Sequence, residues 1–112
     1  MNDRRRDVEK KLRRTRGRFR RVAIELALEC RDCESEEIVW EKASAILSDR
    51  EDSGRVRFNP MIVVMIIQAA VAIWKLLKEM GVLNRATVKS TTEMVDEIAG
   101  QDDSEEGEPD VN

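Results

Sequence analysis

Cys30-Arg31-Asp32-Cys33 sets two thiols three residues apart, the spacing at which a cysteine pair grips a soft metal or closes a redox disulfide. Zinc takes four ligands. The chain holds no histidine and no further cysteine, so an all-thiolate site would need one pair from each of two copies. A thioredoxin-like role would call for a preceding strand and a positive setting that lowers the thiol pKa, and this acidic, strand-poor stretch offers neither. The motif therefore reads as structural, with Cys30 a small core residue at the end of a helix and Cys33 a linker residue.

A second oxygen-rich segment, Asp49 to Val56, resembles the first half of an EF-hand calcium loop, with oxygen side chains at Asp49, Glu51 and Ser53, a glycine at Gly54 and an aliphatic at Val56. The likeness ends there. Pro60 stands where the bidentate glutamate belongs, and Arg55 and Arg57 bring positive charge into the cage, so the segment reads as a solvated linker with a turn at Ser53-Gly54. Catalysis finds no other foothold. Without histidine there is no histidine-based triad, dyad or metal centre, and no P-loop, dinucleotide fingerprint or nucleophile elbow occurs. The pairs Glu25/Glu29 and Glu37/Glu41 have the spacing of polar helix faces. We expect no enzyme, no cofactor and no metal.

The most function-like feature is basic. Residues 1–21 carry eleven Lys/Arg (Arg4, Arg5, Arg6, Lys10, Lys11, Arg13, Arg14, Arg16, Arg18, Arg20 and Arg21) against three acids, and nine of the eleven are arginines, which fork onto phosphate oxygens. A helix coated in this way tracks a nucleic-acid backbone. Neutralising about six to eight duplex phosphates would give a slope of log K on log salt of roughly −5 to −7. An acidic protein or an anionic membrane surface would suit the same charge. The last thirteen residues hold six acids and no base, a tail that can compete for the arginines. The net charge of −3 is thus a cancellation of opposite ends.

These groups must be positioned by helices. Val8, Leu12, Thr15, Phe19, Val22 and Leu26 recur at alternating four- and three-residue spacings, which predicts one amphipathic helix from about Asp3 to Cys30. Ser35, followed by Glu36 and Glu37, predicts the N-cap of a second helix with an apolar face of Val39, Trp40, Ala43, Ile46 and Leu47, ending near Ser48. Asn59-Pro60 opens a third, with Phe58 placed to staple onto Val63, and Gly81 stops it through a Schellman-type cap. The capping box Ser90 to Glu93 predicts a short last helix stopped by Gly100, followed by a disordered acidic tail.

The expected architecture is an all-α bundle of three to four helices: a basic amphipathic helix in residues 1–34, a helical core in 35–99 around the apolar helix 60–80, and the tail 100–112. That apolar helix poses a covering problem. Between Met61 and Trp74 only Gln68 is polar, and a chain of 112 residues offers few faces to cover it. Self-association through Met65, Ala69, Ala70, Ala72, Ile73 and Leu76, where small residues admit a second copy's helix, is the expected remedy. With a charged N-terminus and only two cysteines, three residues apart, a cytoplasmic location is expected. The leading expectation is a self-associating interaction protein that contacts nucleic acid. Its rivals are a membrane-inserted protein with a single apolar helix at 58–80, with Lys75 and Lys78 snorkelling, and an adaptor or assembly subunit of a larger complex.

Overall fold

The computed structural model describes residues 9–15, 17–52 and 59–106, of which 52 and 100–106 are described by their backbone alone. All regular structure among them is helical: α1 (9–14), α2 (Gly17–Glu29), α3 (Glu36–Asp52), α4 (Pro60–Met80) and α5 (Val88–Glu106). The all-α class is as expected, and buried residues from Leu12 to Ala99 join in one cluster. Among its described residues, the basic first segment thus contributes Leu12 to the core.

Helix α4 sits at the centre because its composition leaves it nowhere else to go. Asn59 caps it, accepting the Met61 N–H on its side chain at 2.9 Å, and Pro60 occupies the first turn where no N–H is needed. Gly81, in the left-handed region at φ 74°, ends it, as expected; its own N–H reaches the Lys78 carbonyl and that of Val82 reaches the Leu77 carbonyl, both at 3.1 Å. Between these caps nine residues from Ile66 to Leu77 are buried. Most of the covering comes from α2, with α3 second.

Cross-links fix the directions of the helices. Asp32 pairs with Lys42 at 3.4 Å and Glu25 with Arg50 at 3.5 Å, so α3 runs antiparallel to α2. Lys75 of α4 meets Glu36 at the start of α3 at 2.7 Å. The Trp74 indole donates to the Cys30 carbonyl at 2.9 Å, so the late turns of α4 lie beside the end of α2. Were α4 antiparallel to α2, its residues before Trp74 would extend beyond α2 and stay wet. Ile66, Ile67, Ala69 and Ala70 are instead buried, so α4 runs parallel to α2. Arg31 donates to the Leu83 and Ala86 carbonyls at one end of α2, and Arg20 pairs with Asp96 at the other, so α5 returns antiparallel.

Several expectations are corrected. The first helix is not continuous: the chain breaks between Thr15 and Gly17, where Gly17 takes φ 59°, a conformation that L-residues rarely adopt. The apolar seam survives the break, with Leu12, Thr15 and Leu26 buried and Phe19 and Val22 half-buried. Helix α3 runs on to Asp52 and does not end near Ser48, because Arg50 gains Glu25 as a partner across the bundle. The first oxygen groups of the calcium-like segment, Asp49 and Glu51, are therefore helical; Ser53-Gly54 and Phe58 lie outside the described residues. Trp40, assigned to the buried face, is 39% exposed at its border.

Helix α5 starts two residues before Ser90. Thr87 and Ser90 form the capping box, each side chain accepting the other's backbone N–H at 3.0 Å, while Thr91 turns into the core. Gly100 does not stop the helix, which continues to Glu106; a helical glycine costs only about 1 kcal/mol relative to alanine. The expected copy-to-copy patch is also redirected. Ala69, Ala70, Ala72 and Ile73 are buried inside the one chain, while Met65 and Leu76 are half-buried. The small side chains let a helix approach closely, as anticipated, but that helix is α2, which contributes its own buried Ala23 and Ala27.

Candidate functional site

The basic segment becomes an elbow made of α1 and the start of α2. Lys10 and Arg14 stand one turn apart on α1, opposite buried Leu12, and both are exposed. Arg18 and Arg21, one turn apart on α2, are exposed on the face away from Ala23 and Ala27. Arg18 lies over the Phe19 ring at 5.4 Å, and Arg21 reaches Glu25 at 3.5 Å. Arg13 pairs with Glu9 at 3.6 Å, the i,i+4 pair visible in the sequence, and Lys11 is half-buried. Arg4, Arg5, Arg6 and Arg16 lie outside the described residues.

Arg20 behaves differently from its neighbours. Its side chain is only 13% exposed, and it donates to the Leu12 carbonyl at 2.8 Å and the Thr15 carbonyl at 2.9 Å. Both carbonyls lie at the end of α1, where Leu12 also accepts the Thr15 N–H at 3.2 Å. A third contact, to Asp96 at 3.3 Å, ties the elbow to α5. Thr15 adds its hydroxyl to the Lys11 carbonyl at 3.2 Å. Arg20, expected from its charge to contact phosphate, is a brace that sets the angle at which Lys10 and Arg14 are presented. Its one sequence signal is its place three residues after the only glycine of the basic run.

The direction of α5 bears on the same surface. From Val88 beside the end of α2 to Asp96 beside Arg20, its axis heads for the elbow. Its remaining ten residues carry Asp102, Asp103, Glu105 and Glu106 onward in that direction, about 15 Å at helical rise.

The cysteine motif is a junction where α2, α3, α4 and the 81–87 connection meet. Cys30 is wholly buried, with its Sγ facing the Val39 carbonyl at 4.0 Å, and Cys33 is buried too, its N–H on the Cys30 carbonyl at 3.0 Å. Burial, and then hydrogen bonding with Cys33, push the Cys30 thiol from its ordinary 9.0 up to about 12. Such a thiol is a poor nucleophile. The two residues between the cysteines face outward and brace the junction: Arg31 through Leu83 and Ala86, Asp32 through Lys42. Both cysteines are free, and no cluster of three metal-ligating side chains occurs among the described residues.

Beside this junction an open groove of about 610 Å³ is lined by Glu25, Arg31, Asp32, Lys42, Arg50 and Thr87 among others. Its cations are already engaged, by Glu25, Asp32 and two backbone carbonyls, so it presents a lining balanced in charge. Glu25 is more than a solvated face: it bridges Arg21 and Arg50. Lys75 and Lys78, placed for snorkelling in the membrane-spanning alternative, meet Glu36 and the Trp74 ring instead. Set beside known proteins, the chain matches no family model, no curated protein and no solved structure.

Proposed function

We propose that this protein is a non-enzymatic polyanion-binding module that holds the phosphate backbone of nucleic acid on the α1–α2 elbow, with its acidic C-terminal segment as an internal competitor. The observation that carries this reading is the pairing of a basic surface with a rigid brace. Lys10, Arg14, Arg18 and Arg21 are exposed, while Arg20 is withdrawn to hold the two helices at a set angle. A preset array of cations loses less entropy on meeting phosphates than a free basic arm does. The heading of α5 favours the competitor role, since it leads acids toward the same elbow.

Because α2 is core, removal of residues 1–21 would unfold the bundle, and charge reversal is the sharper test. A salt-dependent gel shift on full-length protein, the triple variant Lys10→Glu, Arg14→Glu, Arg18→Glu, and a chain ending at residue 99 separates the parts. Loss of three phosphate contacts lowers the steepness of the salt slope by about 3 on duplex DNA, and shortening the tail tightens binding. Unchanged binding by the triple variant would sink the proposal.

A further inference from the structure

Helix α4 is unevenly covered. Its buried residues begin at Ile66, and none of the six before it is buried. Met61 is 74% exposed and Val64 44%, with Pro60 exposed beside them and Ile62, Val63 and Met65 half-buried. These six residues are all apolar, and at helical rise they form a tip about 9 Å long.

The tip and the basic elbow stand at the same end of the molecule. Met61 precedes Trp74 by thirteen residues and Gly17 precedes Cys30 by thirteen, and the parallel helices α4 and α2 are pinned together by the Trp74–Cys30 hydrogen bond. Each start therefore lies about 20 Å from that pin, on the same side of it. The apolar projection and the elbow that carries Lys10, Arg14 and Arg18 thus share one end of the molecule.

From this juxtaposition we infer that the α4 tip docks on an anionic lipid surface, inserting Met61 and Val64 among the acyl chains while the elbow cations meet the headgroups. The inference is independent of nucleic-acid binding. Three features fit it. The length of the tip matches the 5–10 Å depth to which interfacial helices sink. The helix start is provided for in a medium poor in water, since Pro60 has no N–H and Asn59 accepts that of Met61. The charge at this end is cationic on the elbow, and the positive end of the α4 dipole adds to it. The acids that α5 leads toward this end compete with headgroups for the same side chains, so a chain ending at residue 99 binds such a surface more tightly.

Flotation of the full-length protein with phosphatidylcholine vesicles, with and without phosphatidylserine, tests this. The protein is expected to float only with phosphatidylserine and to be released in part by salt. The double variant Met61→Gln, Val64→Gln, which removes apolar surface without adding charge beside the elbow, loses on the order of 30-fold in affinity while its thermal midpoint and its gel shift stay unchanged, since both side chains are exposed. Failure of the wild type to float, or flotation of the double variant like the wild type, overturns the inference. So does a lipid-free oligomer that the double variant dissociates, which would assign the tip to a second copy, and so does a parallel loss of the gel shift.

Discussion

The indole Nε1–H of Trp74 donates to the carbonyl oxygen of Cys30 at 2.9 Å, inside a core where Trp74 is 2% exposed and Cys30 wholly buried. This one bond supplies an acceptor at the end of α2 with a donor from the central helix. It also sets the register of the two longest-packed helices. Its neighbours complete the junction: Lys78 lies over the Trp74 ring at 4.7 Å, and Arg31 holds the connection to α5.

Trp74→Phe keeps most of the apolar volume and removes the indole donor, leaving the Cys30 carbonyl with the Cys33 N–H alone. A loss of about 0.5–1.5 kcal/mol in urea unfolding is expected, with Trp40 as the remaining fluorescent probe. A loss below a few tenths would show that the bond does not pin the helices.

The raised pKa of Cys30 predicts a pH effect with a definite sign. Well below pH 9.0 the thiol is protonated in both states and contributes nothing to the pH dependence. Above that, the unfolded chain ionises while the folded one resists, so stability is lost progressively as pH climbs from about 9 toward about 12. Cys30→Ala should flatten this arm relative to wild type in unfolding series at alkaline pH, where lysines titrate equally in both proteins.

Gly17 and Gly81 both have positive φ, 59° and 74°, and an added Cβ would meet nothing within 4 Å at either. Alanine there is penalised by the backbone alone, about 1–2 kcal/mol each. Gly17→Asn, which tolerates the left-handed region, should recover part of the loss. Calorimetry that finds Gly17→Ala neutral would mean that the elbow can straighten into one continuous helix.

Arg20→Ala removes two bonds to carbonyls at the end of α1 as well as the pair with Asp96. We expect a loss of about 1–3 kcal/mol and faster amide exchange in α1. Asp96→Asn should cost no more than a few tenths, because Asp96 is 60% exposed. Equal effects of the two variants would place the work in the ion pair, not in the carbonyls.

Thr91 carries a hydroxyl that is buried and has no hydrogen-bond partner among the described residues. Thr91→Val keeps the shape and deletes the uncompensated group, and should raise stability by about 1 kcal/mol. A decrease on thermal unfolding would show that the hydroxyl is satisfied in solution.

Much of the fold was legible where the signal is local. Ser35, Asn59-Pro60 and Gly81 act through neighbours within four residues, so the limits of α4 and the start of α3 could be read directly. Two features turned on distant partners. Gly17 in a helical pattern is compatible with a weak helix or an elbow, and the bonds from Arg20 to Leu12 and Thr15 decide for the elbow. Thr87–Ser90 and Ser90–Glu93 are overlapping capping boxes of similar chemistry. The first prevails where Arg31 anchors the preceding connection and Thr91 is drawn into the core. The alanine patch of α4 shows that some helix comes close without showing which one. In the basic segment charge was legible, and the withdrawal of Arg20 from the charged surface was not.

The parallel lie of α2 and α4 has a consequence for how the chain is made. Emerging from the ribosome, α2 waits for a partner that arrives only after α3 and its connection have been synthesised, and the pin at Trp74 cannot close before some forty further residues have been added. For that interval the apolar faces of α2 and of the growing α4 stand unpaired, the condition in which nascent chains aggregate or recruit chaperones. Once Arg31 can reach Leu83 and Ala86, α4 is complete and the junction closes on both sides of it. A stall before residue 74 would leave a sticky product, and a stall after residue 86 one whose core helices have already met.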